Sequence, residues 1–130
     1  MSLLIVNNNQ EVLLQMRDNI PHILFPNMFS TFGGRIEQGE TPQQAILREI
    51  EEELALCIQE PELYKVLHYN MHDIHFTDYI FVLYEHLSIL KVYEGQYAQY
   101  VSKQEIGTLP ITPHVYTVLK EFFKEKPKII

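Results

Sequence analysis

The chain has little cysteine, little positive charge and no long apolar run. Its one cysteine, Cys57, excludes an internal disulfide and fits a reducing compartment such as the cytoplasm. The net charge of −7 repels a phosphate backbone, so we expect no nucleic-acid polymer as a partner. No apolar run approaches the roughly 18 residues of a membrane span, and the first residues lack the basic region of a secretory signal.

The remaining composition is that of an ordinary globular protein. The chain is 46% hydrophobic and 21% charged, which is enough apolar content for a core. Its length of 130 residues fits a single domain over 1–130.

Local patterns predict two hairpins. Short apolar runs at 3–6 and 11–16 flank a turn-rich tetrad of Asn and Gln. Runs rich in Tyr, Val, Ile and Phe occupy 63–69 and 74–85, and residues 70–73 can turn between them. Further strands are predicted at 89–93 and 97–101. The segment 17–30 contains two prolines and is predicted to be a loop.

Capping patterns predict the helices. A T-x-x-Q box at Thr41 opens the first helix, whose buried stripe is Ile46, Ile50 and Leu54. An S-x-x-E box at 102–105 predicts a short helix, and Thr112-Pro113 predicts a terminal helix with Val115, Val118, Leu119 and Phe122 on its apolar face. The order of strands and helices predicts a mixed sheet between helices.

One stretch, GGRIEQGETPQQAILREIEEELAL at 33–56, carries most of the chemistry. Glu49, Glu52 and Glu53 share one helix face and would repel one another unless a cation joined them. Carboxylate oxygens of this kind suit Mg²⁺ or Mn²⁺. A glutamate-rich helix is more often a solvated surface. The fixed spacing of these glutamates from a glycine and from Arg48 argues against that interpretation here.

This stretch resembles the Nudix box, G-x5-E-x7-R-E-U-x-E-E-x-G-U, where U is a bulky apolar residue. One position departs, because the family's glycine is Ala55 here. The order of elements along nearly the whole chain is similar to that of MutT-like members. The matching residues are Gly34, Glu40, Arg48, Glu49, Ile50, Glu52, Glu53 and Leu56.

The resemblance implies an α/β protein with the Nudix fold, an α/β/α sandwich around a mixed sheet. It also implies hydrolysis of a nucleoside diphosphate linked to another moiety, with Mg²⁺, or Mn²⁺ as a substitute, between the glutamates and the pyrophosphate. By analogy, Glu40 and Arg48 would orient the cluster, and Glu52 and Glu53 would take part in catalysis. The implied metal ligands are the carbonyl of Gly33 and the carboxylates of Glu49, Glu52, Glu53 and Glu94.

The substrate implied first is a nucleoside triphosphate, with ADP-ribose or a nucleotide sugar as the alternative. A domain that binds a nucleotide as a sensor without turnover is a third interpretation, and a homodimer is compatible with each. The sequence leaves open which glutamate is the base and which phosphorus is attacked.

Two residues outside the box are candidates for substrate binding. Arg17, at a strand end, could meet a phosphate, and Phe29 could line a pocket or pack in the core. MutT-type enzymes selective for oxidised guanine use an asparagine before the last helix, and residues 109–114 contain none. We therefore predict at most ~10-fold preference for oxidised over normal dGTP.

Overall fold

The computed structural model describes residues 1–54, 61–84 and 96–125, with only the backbone of Glu53 and Leu54. The helices are α1 (Pro42–Leu54) and α2 (Pro113–Glu125). The strands are β1 (Ser2–Val6), β2 (Val12–Met16), β3 (Phe29–Ser30), β4 (Phe32–Gly33), β5 (Glu62–Met71), β6 (Ile74–Tyr84) and β7 (Tyr97–Val101).

The strands form one mixed sheet, as the sequence predicted. Its main path runs β3-β2-β1-β6-β5, while β4 pairs with β1 and β7 pairs with β2. The central pair, β1 and β6, is parallel, and every other pairing between these strands is antiparallel. The parallel pair places the start of β1 beside the middle of β6, where Ser2 lies opposite Ile80.

Helices cover both faces of the sheet. In β1, Leu3 and Ile5 point into a core cluster with Ile46 and Ile50 of α1. The alternate residues of β1 point into a larger cluster with the apolar face of α2. Because both faces are buried, the strand sequence is continuously apolar. The α/β/α sandwich is confirmed.

Both predicted hairpins form. The first joins β1 to β2, and the second joins β5 to β6 through a tight turn. That turn holds His72 at φ 52° and Asp73 at φ 62°, a left-handed conformation that aspartate tolerates better than most residues. The segment 17–30 was predicted to be a loop, but its last two residues, Phe29–Ser30, form strand β3 and pair with β2. A strand of two residues is too short to show an alternation of apolar and polar residues in the sequence.

The first helix begins as its capping box predicts. The backbone N–H of Gln44 donates to Thr41 Oγ1 over 3.1 Å, and the N–H of Thr41 donates to Gln44 Oε1 over 3.0 Å. The terminal helix also forms, with all four predicted apolar residues buried. Neither helix in the described ranges is long and apolar enough to cross a membrane.

The short helix predicted from Ser102 is wrong. The capping bond forms, since the N–H of Ser102 donates to Glu105 Oε1 over 2.9 Å. The chain then continues as successive hydrogen-bonded turns. Gly107 and Pro110 follow within one and a half turns, and both disfavour a continuing helix. The strand predicted at 89–93 lies outside the described residues.

Candidate active site

Gly33 and Gly34, in the loop before α1, bring their backbone close to the N-terminal end of β1. Gly34 N–H donates to the carbonyl oxygen of Met1 over 3.1 Å. A Cβ on Gly33, whose φ is +146°, would lie 2.0 Å from that same oxygen. A Cβ on Gly34 would lie 2.6 Å from the carboxyl carbon of Glu49. Only glycine therefore lets this loop approach a box carboxylate so closely.

Arg48 is the centre of the cluster on α1. Its Nε donates to Glu40 Oε2 over 2.7 Å and its Nη2 donates to Glu40 Oε1 over 3.0 Å, which is a two-pronged pair. Nη2 also donates to the backbone carbonyl of Arg35 over 3.0 Å. The guanidinium thus ties the loop before the helix to the helix itself.

The same guanidinium reaches two box glutamates. Arg48 Nη1 donates to Glu49 Oε1 over 2.9 Å and lies 3.3 Å from Glu52 Oε2. The Glu49 side chain is 14% exposed and that of Glu52 is 58% exposed. Glu49 is therefore held between Arg48 and Gly34, while Glu52 stays open to solvent and to a ligand.

The ion pairs shift the pKa values of the partners in opposite directions. The hydrogen bonds from the Arg48 side chain and from the backbone of Glu37 lower the pKa of Glu40. The hydrogen bond to Glu40 and that to Glu49 raise the pKa of Arg48. Glu40 and Arg48 therefore both stay charged at neutral pH.

Two predicted ligands lie outside the described side chains. The side chain of Glu53 and all of Glu94 fall there, so the structure leaves their predicted positions untested. Within the described part of the chain, no three His, Cys, Asp or Glu side chains are grouped to hold a metal ion.

A cleft of about 670 Å³ adjoins this cluster. Its lining includes Gly33 and Gly34, so the box loop forms one wall. Arg17 also lines it, with Nε donating to the carbonyl of Leu24 over 2.9 Å. Phe29 does not line it and is only 3% exposed, because its ring packs in the core beside Tyr97. The packing alternative for Phe29 is the one that the structure shows.

A second polar group lies elsewhere in the same cleft. Asp78 of β6 accepts hydrogen bonds from Ser2 Oγ at 2.8 and 3.0 Å. Its Oδ2 also lies 2.8 Å from Nε2 of His114, at the start of α2. All three residues line the cleft. The glycine loop and this buried aspartate therefore both line the cleft, and the amino group of Met1 lies between them, 2.6 Å from the carbonyl oxygen of Gly34 and 3.7 Å from Asp78 Oδ1.

Comparison with known proteins identifies the architecture. The model of the NUDIX domain matches residues 1–124. The chain belongs to the NUDIX family. Among solved structures, this Nudix chain is similar to the MutT protein from Methanosarcina mazei Go1, with a TM-score of 0.81 and 21% identity over 98% of this chain and 93% of that one. At this identity the similarity supports the fold alone.

Curated relatives match over shorter stretches. An 8-oxo-dGTP diphosphatase from Escherichia coli K12 is 38% identical over 74 residues, which is 57% of this chain and 56% of that protein. An 8-oxo-dGTP diphosphatase from Proteus vulgaris is 36% identical over 53 residues, 41% of this chain and 47% of that protein. The Nudix chain thus matches about half the length of each.

Sequence reasoning missed Asp78 and His114. One signal was available for Asp78, because it shares the inward face of β6 with Ile80 and Val82 at period two. A carboxylate on an inward strand face is costly to bury unless it is paired or hydrogen-bonded. No sequence signal places His114 beside it, since the two are 36 positions apart in the chain.

Proposed function

We propose that this chain is a metal-dependent Nudix hydrolase. It cleaves the pyrophosphate linkage of a nucleoside triphosphate, or of another nucleoside diphosphate derivative, by attack of water at phosphorus. The observation that carries this proposal is the carboxylate cluster around Arg48, which adjoins a cleft large enough for a nucleotide.

The residues present fit a divalent metal ion. Glu49 and Glu52 offer hard oxygen donors on one helix face, and the absent Cβ of Gly34 leaves the backbone close to Glu49. Mg²⁺ or Mn²⁺ bound there would offset the pyrophosphate charge and make water more acidic. The proposed ligands are the carbonyl of Gly33 and the carboxylates of Glu49, Glu52, Glu53 and Glu94.

The chain's own residues then have separate roles. Arg48 and Glu40 hold each other through two hydrogen bonds and fix the orientation of Glu49. A box glutamate, Glu52 or Glu53, takes the proton of the attacking water. Arg17, in the cleft wall, meets a phosphate of the substrate. Phe29 has no part in this proposal because it is buried in the core.

A turnover screen tests the proposal. Purified protein is incubated with Mg²⁺, with Mn²⁺ or with a chelator, and the release of every product is measured: nucleotides, sugar phosphates, phosphate and pyrophosphate. The panel contains normal and oxidised nucleoside triphosphates, ADP-ribose, dinucleoside polyphosphates and nucleotide sugars. We expect metal-dependent turnover that the chelator abolishes, with a triphosphate preferred. Nucleotide binding without release from any substrate would instead support a sensor.

A further inference from the structure

A two-stranded arm extends from the sheet beside the cleft. Strand β1 pairs with Ile80–Tyr84 of β6, so the earlier residues of β6 continue beyond the start of β1 with β5 as their partner. One face of this arm lines the cleft through Tyr69, Met71, Ile74 and Phe76. The opposite face is exposed and carries two histidines, neither of which lines the cleft.

These histidines, His68 of β5 and His75 of β6, are diagonal neighbours across the arm. His68 lies opposite Thr77, and His75 is two positions before Thr77 on the same strand. Side chains in such diagonal positions are within reach of each other. The two rings are stacked, with centroids 5.5 Å apart and an interplanar angle of 14°. The paired strands therefore hold two imidazoles side by side.

Hydrogen bonds orient each of the two rings. His75 Nδ1 lies 3.2 Å from Asn70 Oδ1, which can only accept, so Nδ1 carries the hydrogen and Nε2 keeps its lone pair. His68 Nδ1 lies 3.0 Å from Thr77 Oγ1, and this hydroxyl oxygen can accept from Nδ1 in the same way. A histidine that binds a metal through one ring nitrogen ordinarily donates its other N–H to a neighbouring oxygen. Both rings can therefore offer Nε2 to a metal ion.

Two imidazole nitrogens select different metals from those that suit the Nudix box. Carboxylate oxygens suit Mg²⁺ or Mn²⁺, whereas imidazole suits Zn²⁺, Ni²⁺ and Cu²⁺. Two Zn–N bonds of about 2.0–2.1 Å at a tetrahedral angle place the nitrogens roughly 3.4 Å apart. The stacked rings must therefore tilt towards each other at their Nε2 ends, and both are exposed side chains with room to do so. Among the described residues no third His, Cys, Asp or Glu is grouped with them, so water completes the coordination.

We propose that His68 and His75 form a two-histidine site for a divalent ion of the zinc type, separate from the Nudix box. The metal joins β5 to β6 on the outer face of the arm, through one Nε2 from each strand. This inference does not depend on the proposed hydrolase function, because neither histidine lines the cleft.

Isothermal titration calorimetry with Zn²⁺, in excess Mg²⁺, tests the proposal. We expect wild type to bind one Zn²⁺ per chain at this site, with no change in its mass in solution. His68→Gln and His75→Gln should each weaken that binding at least ~10-fold, because losing a ligand costs no less than losing the group that orients it. Glu52→Gln, in the Nudix box, should leave it unchanged. Unchanged affinity in either histidine variant, or one Zn²⁺ shared by two chains, would overturn the proposal.

Two further variants separate an oriented site from two merely exposed histidines. Asn70→Ala removes the acceptor of His75 Nδ1 and should lower the Zn²⁺ affinity roughly 10–100-fold. His72→Asn is the matched control, since it replaces the histidine of the hairpin turn with a residue that tolerates its positive φ. The control should bind Zn²⁺ as wild type does. All the positions changed in the arm are exposed, so these variants should fold. Weakening by His72→Asn alone, or wild-type affinity in Asn70→Ala, would also overturn the proposal.

Discussion

Two clusters of ion pairs in this protein look alike in composition and differ in their surroundings. In the first, Lys65 of β5 contacts Glu121 at 2.6 Å and also contacts Glu125, both on α2. In the second, Arg48 lies within 4 Å of four glutamates at the glycine loop and α1, namely Glu37, Glu40, Glu49 and Glu52.

The difference lies in excess charge and in access. Two carboxylates around Lys65 leave one negative charge, whereas four around Arg48 leave three. No side chain of either cluster lines the cleft, but Arg48 donates a hydrogen bond to the backbone carbonyl of Arg35, and Arg35 does line it. Excess negative charge beside a cleft is a basis for binding a cation and a phosphate. A count of ion pairs alone would not separate the two clusters.

The largest expected difference is in turnover after a carboxylate is neutralised. Glu52→Gln and Glu53→Gln should each lower kcat by ~10²-fold or more, since each removes charge stabilisation from the reaction. Both should keep the fold, because an exposed ion pair such as that of Glu52 contributes little. Steady-state kinetics at saturating Mg²⁺ measures the effect.

The matched control is Glu121→Gln in the Lys65 cluster. It removes one carboxylate from an ion pair of the same kind, and kcat should stay at the wild-type level. Near-wild-type turnover in either box variant would remove the basis for separating the two clusters.

The next effect concerns the shape of the positively charged side chain at position 48. Arg48→Lys keeps the charge but loses the two-pronged contact with Glu40, which an ammonium cannot reproduce. Turnover or Mg²⁺ affinity should fall roughly 10–100-fold, as is usual when the group that orients a metal ligand is replaced. A Mg²⁺ titration of kcat/KM measures both. Lys65→Arg is the control, and equal behaviour of the two variants would contradict a positioning role for Arg48.

A smaller effect is expected at the glycine loop. Gly34→Ala places a Cβ 2.6 Å from the Glu49 carboxyl carbon, so the carboxylate must move away. We expect roughly ten-fold weaker activity or metal affinity, the lower end of the cost of a misoriented ligand. Gly107→Ala, where an added Cβ meets nothing within 4 Å, should have no such effect. If the two variants have the same activity, the close approach at Gly34 is not functional.

The smallest effect is on acid stability, where the clusters should behave alike. Arg48 lowers the pKa of Glu40, and Lys65 lowers that of Glu125, both below the ordinary 4.5. Each lowered pKa stabilises the fold above pH 4.5, and the contribution is lost as pH falls through the folded value. Glu40→Gln and Glu125→Gln should each reduce the acid dependence of unfolding slightly. Denaturant titrations between pH 3 and 6 test this, and added salt should weaken the effect.

The regular parts of the fold could be predicted from the sequence because local rules decide them. The capping box at Thr41, the apolar face of α2 and the two hairpins each depend on residues close together in the chain. The short helix from Ser102 failed because the capping signal was followed by Gly107 and Pro110. Strand β3 was missed because its pairing with β2 is tertiary and only two residues long.

The candidate site also has a part that the local sequence predicts and a part that depends on tertiary packing. The box residues are close in sequence, so their spacing predicts the contacts of Arg48 with Glu49 and Glu52. Asp78 and His114 come from different elements and meet only when β6 and α2 pack together. Ala55, the departure from the Nudix box, lies outside the described residues.

The most direct test of the Arg48 cluster as the metal site is a Mn²⁺ binding isotherm, followed by electron paramagnetic resonance. Three proteins are compared: wild type, Glu52→Gln in the Arg48 cluster and Glu121→Gln in the Lys65 cluster. We expect wild type and Glu121→Gln to bind Mn²⁺ with the same affinity and Glu52→Gln to bind at least ~10-fold more weakly. Equal affinity in all three proteins, or weakening by Glu121→Gln alone, would contradict the assignment of the metal to the Nudix box.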